Sequence, residues 1–229
     1  MNVFVIRHGE TAWSLSGQHA GTTDIPLTDN GRRLAERLRS VLAKEVFASV
    51  FVSPLRRARE TCKLAGLGSS AVVDPDLMEW NYGEYKELTP KQIHEGAPGW
   101  LIFRDGCPGG ESPEEVGARV DRVIARSRKV DGDIALFAHG HVLRVLAARW
   151  IGLPPGAGQH FLLDRHFVRF RLLSRSSCVQ DLEWSPLGAA SRMIPQSIAA
   201  QRFPRLRTLT TPGCICVIAT RCRQVMLCC

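Results

Sequence analysis

The sequence predicts an α/β fold, a three-layer α/β/α sandwich around a mainly parallel central sheet, and three observations lead there. Val3–Ile6, Val50–Val52 and Ile134–Ala138 are short apolar runs bounded by polar or glycine-rich clusters, as strands buried on both faces are. The stretches between them repeat their apolar residues at helical spacing. Strands that alternate with helices need crossover connections, which give parallel pairing with helices on both faces of the sheet.

The first run stops at Arg7-His8-Gly9. Thr28 stands where an N-cap belongs, and Leu34, Leu38, Val41 and Leu42 mark one face of a helix expected to reach about Val46. After the strand at Val50–Val52, Ser53-Pro54 opens a helix whose buried side is Leu55, Ala58, Cys62 and Ala65. Residues 78–110 carry mixed signals, broken by Gly96-Ala97-Pro98-Gly99 and Pro108-Gly109-Gly110. They read as a long excursion of the kind that forms lids, with one short helix from Thr89. Ser112-Pro113-Glu114-Glu115 is a capping box with proline at the first helical position, and its helix should run to about Val130. Ile134–Ala138 is the next strand, and Val142–Ile151 a helix stopped by Gly152-Leu153-Pro154-Pro155.

Composition divides the chain into a folded domain, 1–166, and an atypical Arg- and Cys-rich tail, 167–229. The whole sequence of 229 residues has 30 Lys+Arg and 22 Asp+Glu, a net charge of +8; the tail holds nine Arg, no Lys and two acids, hence +7 of it. The body is nearly neutral, so the high pI describes the tail, which lacks the aromatic interleaving of a nucleic-acid surface; no nucleic-acid partner is expected. Six of the eight cysteines also lie in the tail, at spacings that fit no zinc pattern, and Cys62 with Cys107 makes no disulfide framework. The opening apolar run is too short for a signal peptide and no stretch has the length of a membrane span, so a cytoplasmic protein without a membrane partner is expected. An abrupt change of composition of this sort is what a frameshift or a replaced end would leave.

Ligands of open α/β sheets bind beyond the carboxyl ends of the strands. Arg7-His8-Gly9 and His139-Gly140-His141 each follow a strand there, with a glycine that permits close backbone approach. Ser53-Pro54-Leu55-Arg56-Arg57-Ala58-Arg59 follows another and supplies guanidinium groups at a helix start, where free N–H groups already favour an anion. Together they make a cationic cup. A neutral histidine whose second nitrogen is tied to a carbonyl can attack phosphorus, and flanking arginines stabilise the transferring oxygens, with no metal or cofactor required.

Five motifs in order resemble the histidine phosphatase superfamily, the phosphoglycerate-mutase-like proteins: Val5-Ile6-Arg7-His8-Gly9-Glu10-Thr11, Ser53-Pro54-Leu55-Arg56-Arg57-Ala58, Glu79-Trp80-Asn81-Tyr82-Gly83, Pro108-Gly109-Gly110-Glu111-Ser112 and Ala138-His139-Gly140-His141. The resemblance spans residues 1–166. It implies that His8 becomes phosphohistidine, that Arg7, Arg57 and His139 bind the phosphoryl oxygens, and that Glu79 is proton donor and then base. Arg57 takes the role rather than Arg56 because the family's arginine directly precedes the alanine. Trp13-Ser14-Leu15-Ser16-Gly17-Gln18 and Phe103-Arg104-Asp105-Gly106-Cys107 look like a branch of sugar-phosphate phosphatases that includes a fungal sedoheptulose-1,7-bisphosphatase, which implies substrate contacts from Gly21, Tyr82 and Arg104. Ser14 stands where many mutases have asparagine, Ala20 where a Ser or Thr is common, and Arg165-His166-Phe167 interrupts the family's closing turn and strand. Val168–Leu173 is the segment left to replace that strand.

The reading is thus a phosphatase of small phosphomonoesters. Its rivals are mutase-type phosphoryl transfer and an inactive family member with a replaced C-terminus. His141 and His19 read as a satisfied neighbour and a surface-loop residue, and Arg56, Arg59 and Lys63 as a solvated helix face.

Overall fold

A computed structural model describes residues 1–161 and 163 with their side chains, and beyond them only the backbone of strands within 168–172, 179–184, 206–211, 214–219 and 227–228. Four strands form one parallel sheet: β1 (Val3–Arg7), β2 (Phe47–Val52), β3 (Ala71–Val73) and β4 (Asp133–Ala138), in spatial order β1-β4-β2-β3. Arg7 pairs with Ala138 and Val52 with Phe137, so the carboxyl ends of β1, β4 and β2 lie side by side.

The alternation along each strand explains the layers. Val3, Val5, Ile134 and Leu136 face one side, where they pack with Val116, Val120 and Val123 of α6 (Pro113–Ser127) and with Val142 and Leu146 of α7 (Gly140–Trp150). Phe4, Ile6, Ala135 and Phe137 face the other, against Leu38 and Leu42 of α2 (Asp29–Leu42) and Ala58 and Cys62 of α3 (Arg56–Leu64). Both faces are covered, and the expected three-layer sandwich is the observed one.

Element ends differ from the expectation in physically simple ways. Thr28 caps α2 as expected, but the helix stops at Leu42; Val46 is 90% exposed and belongs to the turn into β2, which starts at Phe47. The helix from Thr89 is present as α4 (Pro90–Gly96), and the excursion holds a second short one, α5 (Ile102–Asp105). α1 (Ala12–Ser16) was not expected: its capping box uses Ser14 in place of the Glu or Gln that signals one in sequence. β3, with three residues, is too short for a period to register.

A further strand, β5 (Val168–Leu172), pairs antiparallel with β6 (Val179–Trp184) and comes within 8 Å of β1 by Cα position. β7 (Leu206–Thr211), β8 (Cys214–Ala219) and β9 (Leu227–Cys228) form a separate antiparallel sheet. Arg165-His166-Phe167 and the side chains of the tail cysteines lie outside the described residues. Among the described residues no helix is long and apolar enough to cross a membrane.

Candidate active site

β1 ends at Arg7, and the next residue, His8, is 8% exposed. Its backbone N–H donates to the Ala138 carbonyl at 3.0 Å, which extends the β1–β4 ladder by one rung. Its Nδ1 lies 2.7 Å from the Gly9 carbonyl oxygen; a carbonyl only accepts, so Nδ1 carries the proton and Nε2 keeps a lone pair. Burial, and then the charges of Arg57 and Arg7, hold this imidazole well below the ordinary histidine pKa. The ring is therefore neutral near pH 7.

His139 caps α7 directly after β4, and its ring centroid is 5.1 Å from that of His8. Arg57, fully buried on the first turn of α3, donates from Nε to His139 Nδ1 at 3.1 Å and from its terminal nitrogens to the Thr23 and Gly21 carbonyls, each at 2.8 Å. With Nδ1 accepting, His139 Nε2 bears the proton and donates to Ser53 Oγ at 2.7 Å. Burial first, then Arg57, keep His139 neutral as well. Arg7 sits over the start of α7, where its guanidinium comes within 3.4 Å of where a side chain on Gly140 would begin.

Glu79 reaches the same place from the opposite side. Its Oε1 accepts from Trp80 N at 3.0 Å and Val142 N at 3.1 Å, and Oε2 from His141 N at 3.2 Å, so the carboxylate meets the positive end of α7. The segment carrying it is fixed by a half-buried ion pair: Arg119 of α6 binds Glu111 at 2.8 Å and donates to the Asp76 and Met78 carbonyls. Glu111 in turn accepts from Asn81 N and, through its carbonyl, from the Trp80 indole.

Arg7, His8, Gly21, Arg57, Glu79 and Tyr82 line one cavity of ≈ 180 Å³. His139 is fully buried behind it, in contact with both His8 and Arg57. Among the described residues no group of three or more His, Cys, Asp or Glu could hold a metal ion.

The sequence profile of the Histidine phosphatase superfamily (branch 1) matches residues 3–174. The chain belongs to that superfamily. It is 41% identical over 165 residues to an acid phosphatase of Mycobacterium tuberculosis, covering 70% of this chain and 81% of the relative. It is 38% identical over 181 residues to sedoheptulose 1,7-bisphosphatase of Saccharomyces cerevisiae, covering 65% and 67%. A solved structure from a Mycobacterium tuberculosis open reading frame, 41% identical, superposes with a TM-score of 0.68 over 71% of this chain and 86% of that one.

Of the residues singled out in this histidine phosphatase, Arg104 is the one the fold does not bring in. Its guanidinium is bound to Asp105 at 2.7 Å and to the Gly99 carbonyl at 2.7 Å, its side chain is 61% exposed, and it does not line the cavity. His19, read as a surface-loop residue, lines the cavity, and His141 is the hydrogen-bonded neighbour expected, also on the cavity wall. His19 stacks on the Tyr82 ring at 4.3 Å, is depressed to about 4 by burial, and has a buried Nε2 without a hydrogen-bond partner. His141 Nδ1 lies 2.5 Å from Tyr82 Oη, and burial, followed by Arg144, keeps its ring neutral. The phenol, raised well above its usual pKa by burial and then by Glu79, is the donor in that bond.

Arg144 was not foreseen. It lines the cavity one helical turn beyond His141, bound to the Gly158 and Gln159 carbonyls and stacked on Phe103, and burial lowers it to about 10. The i, i+3 spacing from His141 was the available signal. Arg56, Arg59 and Lys63 are exposed, as expected.

Proposed function

We propose that this chain hydrolyses small phosphomonoesters, sugar phosphates foremost, through a phosphohistidine on His8. One observation carries the reading: a neutral imidazole with its Nε2 lone pair available faces the same small cavity as Arg7 and Arg57, with Glu79 on its wall. His8 Nε2 forms a bond to phosphorus while the bond to the ester oxygen breaks, and Glu79 protonates the leaving oxygen. Water then attacks the phosphohistidine, Glu79 takes its proton, and the P–N bond breaks to release phosphate. Arg7 and Arg57 stabilise the charge on the equatorial oxygens, His139 supports Arg57 from behind, and Gly21 and Tyr82 shape the mouth.

Metal independence is part of the proposal. A wall on which three guanidinium groups outweigh the Glu79 carboxylate, and whose imidazoles are neutral, favours an anion over a divalent cation. The cavity volume suits a small ester, and Arg144 provides a third cation for a substrate that carries a second anionic group. Similarity to the yeast enzyme named for sedoheptulose 1,7-bisphosphate supports sugar phosphates. A cytoplasmic setting is supported by Cys62 and Cys107, which are buried and not joined in a disulfide. We also place the catalytic body at 1–166 on composition, although the family match runs on to residue 174.

Phosphate release from p-nitrophenyl phosphate and from a panel of sugar phosphates and bisphosphates tests the reading. Turnover should survive a chelator and vanish in His8→Ala. Chelator-sensitive turnover that survives the substitution would end the proposal, and conversion of 3-phosphoglycerate to its 2-isomer without free phosphate would replace it with mutase chemistry.

A further inference from the structure

Thr61 is a fully buried hydroxyl that the proposed chemistry leaves unused. It lies one turn beyond Arg57 on α3 and donates to the Arg57 carbonyl at 2.7 Å, the usual back-bond of a helical threonine. Its oxygen also accepts the Gly9 N–H, 52 residues away in sequence, at 2.9 Å. Gly9 is the residue whose carbonyl receives the Nδ1 proton of His8.

The segment His8-Gly9-Glu10 is tied on both flanks, by His8 N to the Ala138 carbonyl and by Thr28 N to the Glu10 carbonyl. Between those ties the orientation of Gly9 depends on its own amide bond and on close packing, since a Cβ there would lie 2.8 Å from the Gly31 carbonyl oxygen. We infer that Thr61 is a positioning residue. By holding Gly9 it fixes which nitrogen of His8 is protonated and which attacks phosphorus, and it ties that choice to the helix that presents Arg57. The inference rests on His8 being the nucleophile.

Thr61→Val removes the oxygen at nearly constant volume, and Thr61→Ser retains it. Nitrogen-15 NMR of the resting enzyme should show His8 as a single Nδ1–H tautomer in the parent and in Thr61→Ser, and a tautomer mixture in Thr61→Val. Phosphorus-31 NMR of the trapped phosphoenzyme should place the phosphoryl group on Nε2 alone in the first two and partly on Nδ1 in the third. With p-nitrophenyl phosphate, kcat should fall roughly 10- to 100-fold in Thr61→Val, with KM within about twofold, and recover in Thr61→Ser. If Thr61→Val does not fold, Thr61→Ala carries the same comparison.

Lost activity with an unchanged His8 tautomer, or an equal loss in Thr61→Ser, overturns the positioning role. Full turnover in His8→Ala would instead remove the nucleophile assignment, and the two failures are read in different samples.

Discussion

The protonation of His8 is decided by what surrounds it. Burial is the larger cause and the two guanidinium groups the next, while the Gly9 carbonyl works weakly the other way. Since the ring resists protonation, kcat/KM for p-nitrophenyl phosphate, corrected for ionisation of the ester, should stay level as pH falls through 6.5; an acid limb at an ordinary histidine value in the pH profile would contradict this. Arg57 and Arg104 give a second contrast. Arg57→Gln removes the cation that faces His139 and the carbonyls of Gly21 and Thr23, and should cost roughly 10²- to 10³-fold in kcat. Arg104→Ala, outside the cavity, should leave kcat/KM within about twofold in the same assay. Arg7, His8 and His139 were legible in the sequence because each follows a strand next to a glycine; the helix start offered Arg56, Arg57 and Arg59 together, and only the resemblance to the family picked out Arg57. His19, Ser53 and Thr61 were not legible, because what makes them part of the site is a partner far away in the chain, and Arg144 offered only its i, i+3 spacing from His141.

At the scale of elements, the excursion between β3 and α6 delivers Glu79 and Tyr82, and its shape depends on two glycines. Gly83 has φ +51°, and a side chain there would meet the Pro108 carbonyl oxygen at 2.1 Å; one on Gly110 would meet the Asn81 carbonyl oxygen at 2.2 Å. The backbones of 81–83 and 108–110 therefore cross with no room for a methyl group. Gly83→Ala should lose about 1–3 kcal/mol of stability in urea unfolding and, by displacing the Glu79 segment, more kcat than KM. The sequence marked Gly110 as a breaker and Gly83 only as the end of a motif, yet a breaker says only that a helix ends, and the crossing is held by the Arg119–Glu111 pair, whose Glu111 accepts from Asn81 N. Helices with caps and periods, such as α2 and α6, were readable to within a few residues; β3 and α1, at three and five residues, were too short to impose a pattern.

For the whole molecule, buried neutral imidazoles make acid the weak direction. His8, His139 and His141 titrate well below 6.5 in the folded protein and His19 at about 4, while in the unfolded chain each takes up its proton near 6.5. The stability they permit is complete above about pH 6.5 and is lost as pH falls below it, because the unfolded state then binds protons that the native state refuses. For a fully buried ring such as that of His8 or His139 the loss approaches about 1.4 kcal/mol per pH unit, and the contribution of His19 levels off near its own value of about 4. Urea midpoints at pH 7 and pH 5 measure this, and equal midpoints would contradict it.

The register of β1 against β4 has one more consequence. Arg7 and Ala138 are partners across the ladder, so the next residue of each strand, His8 and His139, emerges on neighbouring rails. The 5.1 Å between their rings is close to the repeat between adjacent strands of any sheet, about 4.8 Å. The placement of the two imidazoles side by side at the end of the sheet thus begins with main-chain pairing. Loops above it are left free to diverge in what they admit, while the spacing beneath them stays the same.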